Sequence, residues 1–124
     1  MKKKKILIIE DDQSLVKLLS GAINPEEFDV KIALEVEEGI DKAILGQPDV
    51  IVLDILLPGK SGFDCLKKLK ERKETKNIPV IILSNLGQEE EVQEGLKLGA
   101  VDYLVKADFA IDKVIEKITR VAKK

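Results

Sequence analysis

Four short apolar runs, each ending on a reactive side chain, constrain this chain more than any other feature. Ile6-Leu7-Ile8-Ile9 runs into Glu10-Asp11-Asp12, and Val50-Ile51-Val52-Leu53 runs into Asp54. Val80-Ile81-Ile82-Leu83 runs into Ser84, and Tyr103-Leu104-Val105 runs into Lys106. Apolar runs of this length, separated by segments with helical spacing, read as strands buried on both faces of a parallel sheet. In open sheets of that kind, ligands gather beyond the carboxyl ends of the strands. An acid cluster, a lone acid, a hydroxyl and an amine therefore converge on one spot. Such a spot suits a divalent cation and a phosphoryl group.

The segments between the runs support the same architecture. Leu15, Leu18, Leu19, Ala22 and Ile23 repeat with helical spacing before Asn24-Pro25 stops the helix. Val30 and Ile32 alternate with Lys31, the half-buried pattern of an edge or near-edge strand. Val36, Ile40, Ala43 and Ile44 mark a second helix, closed by Gly46 and Pro48. Ser61-Gly62-Phe63-Asp64 has capping-box spacing and opens a third helix carrying Leu66 and Leu69. Glu89, Glu90 and Glu91 crowd the start of a fourth, where carboxylates suit the helix dipole, and Gly99 marks its end. Ile111, Val114, Ile115, Ile118 and Ala122 form a last stripe, with Asp108 as its candidate cap. Five strand–helix units predict an α/β fold with a doubly wound five-stranded parallel sheet and right-handed crossovers. No repeat or linker interrupts the pattern, so residues 1–124 are expected to form a single domain.

Composition narrows the function classes. A chain of 124 residues can bury about two-thirds of its unfolded surface. Its net charge of -2 argues against direct nucleic-acid binding, which favours a clearly basic domain. Lys2–Lys5 look like the start of a signal peptide, but only four apolar residues follow before the acids. No run approaches the roughly 20 apolar residues of a membrane span. The single cysteine, Cys65, rules out an internal disulfide and fits a reducing, cytoplasmic setting. The chain has no histidine.

Each reactive position has an ordinary explanation beside the chemical one. Glu10, Asp11 and Asp12 repel one another unless a cation intervenes, and hard oxygen ligands suit Mg2+. Asp12 reads better as the cap of the first helix. Asp54, at the tip of the most apolar strand, is either a turn-forming acid or a nucleophile toward phosphorus. Ser84 is equally readable as a helix cap and as a donor to a phosphoryl oxygen. Lys106 should meet a carboxylate, either Asp54 or Asp11, as a salt bridge that a phosphate could later share.

IIEDD, VLDILLPGKSG, IILS and LGAVDYLVK, in this order and at these distances, resemble the receiver domains of bacterial two-component response regulators, particularly the free-standing chemotaxis type. The resemblance covers essentially the whole chain. It implies the flavodoxin-like strand order 2-1-3-4-5. It also implies that Asp54 accepts a phosphoryl group from a phosphohistidine on a sensor histidine kinase or histidine phosphotransfer protein. Glu10, Asp11, Asp54 and the backbone carbonyl of Leu56 match the Mg2+ ligands. Ser84 matches the switch hydroxyl, Lys106 the site lysine, and Tyr103 the aromatic that moves inward on activation. The signalling surface would be the face of the fourth helix, fifth strand and fifth helix, docking a downstream effector protein. The chain would be a monomer or a weak phosphorylation-dependent dimer. With no histidine of its own, it needs an external phosphodonor.

Four positions depart from that pattern. Ala107 follows the lysine where proline is usual, Asn85 replaces a small residue, and Leu56 and Leu86 are apolar beside the site. The apolar rim predicts slow self-dephosphorylation. A phosphatase working through an aspartyl phosphate is the main rival, but it would need an acid–base group two residues after Asp54, and Leu56 cannot shuttle a proton. A nucleotide or flavin carrier would not place three acids where a phosphate loop belongs. The remaining alternative, a receiver-like module that binds partners without phosphorylation, would normally have lost an acid or the lysine.

Overall fold

The computed structural model describes residues 2–57 and 60–124, so Pro58 and Gly59 of the VLDILLPGKSG motif lie outside it. Five parallel strands form the main sheet: β1 (Lys4–Ile9), β2 (Phe28–Ala33), β3 (Val50–Leu53), β4 (Val80–Ser84) and β5 (Asp102–Val105). Their order across the sheet is β2-β1-β3-β4-β5, as the flavodoxin-like resemblance implies. The connecting helices are α1 (Gln13–Ala22), α2 (Val36–Gly46), α3 (Gly62–Glu71), α4 (Glu89–Lys97) and α5 (Ile111–Ala122). Leu56–Leu57 and Lys60–Ser61 add a small antiparallel ribbon after β3.

Period-two alternation divides the core into two layers. Ile6, Ile8, Val50, Val52, Ile81, Leu83 and Leu104 face α1 and α5, meeting Leu19, Ile23, Val114 and Ile118. Leu7, Ile9, Ile51, Leu53, Ile82 and Tyr103 face α2, α3 and α4, meeting Ile40, Ala43, Leu66, Leu69 and Val92. Because helices cover both faces, β1, β3 and β4 can be apolar at successive positions. β2 instead alternates buried with exposed residues and forms one edge, matching the pattern of Val30, Lys31 and Ile32.

Local details differ from the sequence expectations in instructive ways. Leu18 fits the stripe of α1 by spacing but is largely exposed, since the narrow seam toward β1 and α5 is filled by Leu19 and Ile23. The left-handed residue closing α2 is Gln47 (φ 47°) rather than Gly46, which is the last helical residue. There the Gln47 amide group donates to the carbonyls of Ala43, Ile44 and Glu74, which accounts for a side chain at a position that favours glycine. Asp108 lies in a 3-10 turn, and Ala110 occupies the cap position of α5. Ser61 Oγ accepts from the Phe63 amide, so the serine caps α3 as expected. At α4, Glu91 reaches back to accept from the Gln88 amide.

Candidate functional site

Register assembles the site. Ile9 pairs with Leu53, so Glu10 and Asp54 leave the sheet side by side. Ser84 pairs with Val105, which places Lys106 one residue beyond the serine. The sheet continues locally past the strand ends, with the Asp54 amide donating to the Ile9 carbonyl at 3.0 Å and the Glu10 amide to Ala33 at 2.9 Å. These backbone bonds fix where both carboxylates start.

Glu10 and Asp54 are only 2% and 5% exposed, and Ser84 is fully buried. Lys106 Nζ lies 2.9 Å from Glu10 Oε1 and 3.4 Å from Asp54 Oδ2. The lysine therefore bridges two buried acids, and its nearer partner is Glu10 rather than Asp11. The other oxygens are also engaged: the Leu56 amide donates to Asp54 Oδ1 at 3.0 Å, and the Asp12 amide to Glu10 Oε2 at 3.2 Å. Carboxylate oxygens of Glu10, Asp11 and Asp54 come within 4.8 Å of one another, with Asp11 exposed at the mouth. An all-oxygen, doubly buried set with one solvent-facing member fits a hard divalent cation that keeps part of its water shell.

The electrostatics fit the same use. Burial pushes the Glu10 carboxyl up to about 7, helped by its hydrogen bond to Asp54 and opposed by Lys106. Burial alone would lower the Lys106 ammonium, but the hydrogen bond to Glu10 and the charges of Asp54 and Glu10 hold it above its ordinary value. A raised acid binds its proton more tightly folded than unfolded, so it makes stability fall as pH rises from 4.5 to about 7. Without divalent ions, Glu10→Gln should therefore gain on the wild type across that window and level off above it. Denaturant titrations at a series of pH values check the sign, and an advantage confined to lower pH would contradict it.

Ser84 Oγ accepts from the Leu86 amide at 3.3 Å, and the Tyr103 hydroxyl donates to the Leu86 carbonyl at 2.5 Å. Tyr103 is 7% exposed, so its ring is already inward. Burial, with the charge of Glu91 next, raises its phenol above the ordinary tyrosine value. The Lys106–Ala107 peptide is trans. Leu56 is 52% exposed beside Asp54, whereas Leu86 is half-buried against the core. Only the first of the two leucines stands free at the rim.

The structure brings Glu10, Asp11, Asp54 and Lys106 together, with Ser84 at the neighbouring strand end. Asp12 takes the role of cap, accepting from the Ser14 and Leu15 amides at 3.1 and 3.2 Å. Sequence reasoning missed Gly62. A Cβ there would lie 2.2 Å from Ile55 Cα and 2.6 Å from the Asp54 carbonyl oxygen. Its amide donates to the Ile55 carbonyl at 2.9 Å, so α3 begins in direct contact with the Asp54 turn.

Comparison with known proteins agrees with this geometry. Residues 6–119 match the response regulator receiver domain. The phosphate regulon transcriptional regulatory protein PhoB of Rhizobium meliloti is 38% identical over 102 residues, covering 82% of this chain and 45% of that protein. The alkaline phosphatase synthesis transcriptional regulatory protein PhoP of Bacillus subtilis is 38% identical over 103 residues, 83% of this chain and 42% of that one. The chain thus spans less than half the length of either relative. The receiver domain of the Francisella response regulator 1452 superposes with a TM-score of 0.86 at 34% identity, covering 98% of both chains. The chemotaxis response regulator CheY4 of Vibrio cholerae gives the same TM-score at 28% identity, covering 97% of this chain and 99% of that one. A parallel sheet in this order, with buried acids and a lysine at its carboxyl edge and a family match over 6–119, makes this chain a member of the response regulator receiver domain family.

Proposed function

We propose that Asp54 accepts a phosphoryl group from a phosphohistidine on a partner protein, and that this modification alters the α4-β5-α5 face read by an effector. The observation that carries the proposal is a buried aspartate sharing one lysine with a buried glutamate. A carboxylate oxygen of Asp54 attacks phosphorus as the P–N bond to the donor imidazole breaks, and the imidazole leaves with the electron pair. The absence of histidine in this chain is consistent with an external donor. Glu10, Asp11, Asp54 and the Leu56 carbonyl would hold Mg2+, which would offset the charge brought in by the phosphoryl group. Lys106 can follow the new negative charge from its position between the acids. The Ser84 hydroxyl proton can turn toward a phosphoryl oxygen while its lone pair keeps the Leu86 amide. The domain is proposed to work in the cytoplasm, and no helix among the described residues is long and apolar enough to cross a membrane.

The direct test is intact-mass measurement after incubation with acetyl phosphate, with and without Mg2+. The wild type should gain one phosphoryl group only with Mg2+, and Asp54→Asn should gain none. An equal adduct on the variant would overturn the assignment.

The acids should separate by role. Asp11→Ala should lose Mg2+ binding and phosphorylate slowly. Asp12→Ala should keep both and lose about 0.5–2 kcal/mol of stability with its helix cap. Titration of Mg2+ against the two variants decides between them, and equal metal defects would refute the division.

Lifetime should depend on the rim. Hydrolysis of the acyl phosphate needs a water oriented in line with phosphorus, and exposed Leu56 excludes water without orienting it. Leu56→Asn should speed decay by about tenfold, about 1.4 kcal/mol in barrier. Because Leu86 is turned toward the core, Leu86→Glu should change decay less. Following the phosphorylated form in Mg2+ buffer gives both rates.

A further inference from the structure

A chain of contacts leads from the site to α4. Ser84 Oγ accepts from the Leu86 amide, and the Leu86 carbonyl accepts from the Tyr103 hydroxyl. The Tyr103 ring then lies against Gly95 in the second turn of α4. Gly95 has an ordinary helical backbone, so no turn requires glycine there, and glycine is the poorest helix former after proline. What requires it is space. A Cβ on Gly95 would come within 2.6 Å of Ile82 Cδ1 and 2.9 Å of Tyr103 Cδ2. Ile82 is fully buried in the middle of β4, so its side chain must stay within the core. Tyr103 sits on edge strand β5, so its ring is the group that can leave.

We infer that Gly95 is a positioning residue: its missing side chain seats the Tyr103 ring inward, and through Leu86 this ties the Ser84 loop to α4. The inference rests on the proposed role of the site, since it gives residue 95 a part in setting the signalling face. Any side chain at 95 would push the ring toward solvent and release the Leu86 carbonyl. Tight packing makes this a choice between two positions rather than a gradual shift.

The chain has one tyrosine and no tryptophan, so its ultraviolet fluorescence reports Tyr103 alone. We would measure acrylamide quenching and melting temperature for the wild type, Gly95→Ala and a control, Gly21→Ala. Gly21 lies in α1, where an added Cβ meets nothing within 4 Å. The control should melt higher and quench like the wild type. Gly95→Ala should melt lower despite the better helix former, and its quenching constant should rise several-fold. Its tyrosinate titration should also fall back toward the ordinary tyrosine value. If Gly95→Ala does not fold, Gly95→Ala/Tyr103→Ala should recover a cooperative melt by circular dichroism, because the space the ring leaves gives both the added methyl and the end of the Ile82 side chain room to move. Wild-type quenching in a folded Gly95→Ala, or no recovery in the double variant, would overturn the inference. Phosphoryl uptake by the wild type keeps the two ideas apart. A ring freed by Gly95→Ala in a protein that takes no phosphoryl group would leave the seat standing and remove the signalling role.

Discussion

Replacing Lys106 with methionine is expected to cost about 3 kcal/mol of stability at about pH 8, and distinctly less at about pH 5. Methionine keeps much of the lysine stem and its packing while removing the charge. At the higher pH two carboxylates, 2% and 5% exposed, would face each other with no cation between them. Removing one partner from a buried ion pair costs more than the pair was worth, because the other charge stays buried. At the lower pH Glu10 carries a proton, since its carboxyl titrates at about 7, and the repulsion is relieved. Denaturant unfolding at the two pH values measures the difference, and adding Mg2+ should restore part of the loss at the higher pH. A small, pH-independent loss would show that Lys106 does not neutralise these acids.

The second large effect belongs to a residue with no functional group. Gly62→Ala would place a methyl 2.2 Å from Ile55 Cα and 2.6 Å from the Asp54 carbonyl oxygen. Both obstacles are backbone atoms, so no rotamer change can absorb the clash. Overpacking of this kind costs about 1–3 kcal/mol, and a backbone clash belongs at the upper end. The larger consequence is chemical, because the start of α3 must back away and carry the Asp54 turn with it. Misplacing a reacting group by about 1 Å can cost about 100-fold in rate. Stopped-flow or mass-resolved phosphorylation of a folded Gly62→Ala should show that loss with Mg2+ affinity less affected. An unchanged rate would mean that α3 does not position the aspartate.

The sheet and its site were legible because two periodicities coincide in this sequence. Runs such as Val50–Leu53 are too short for helices and too apolar for loops, and in a parallel sheet their last residues must share an edge. The residues following each run then marked Glu10, Asp54, Ser84 and Lys106 as candidates, and the family resemblance supplied their expected roles. The details that escaped depend on distances between elements remote in sequence. Gly62 and Gly95 matter because backbone or a ring lies where their Cβ would be, and a sequence records only that glycine is present. Leu18 matched its helical stripe but is exposed, because spacing defines a face and not the width of the groove receiving it. Lys106 meets Asp54 as expected, but its nearer partner is Glu10, which was not expected. Strand register decides that, and an apolar run does not reveal its register to the residue. The inward seat of Tyr103 likewise depends on α4 approaching β4 and β5 closely at Gly95.

The central claim is that Asp54 carries the phosphoryl group, and borohydride trapping tests it most directly. Borohydride reduces an aspartyl phosphate to homoserine, which marks the modified residue permanently and survives proteolysis. The protein would be phosphorylated by a phosphohistidine donor or acetyl phosphate in Mg2+, reduced, digested and sequenced by mass spectrometry. Homoserine at position 54 and at no other acid, with none formed when Mg2+ is withheld, is the predicted result. Homoserine at Asp11, Asp12 or another acid with Asp54 unmodified would contradict the account.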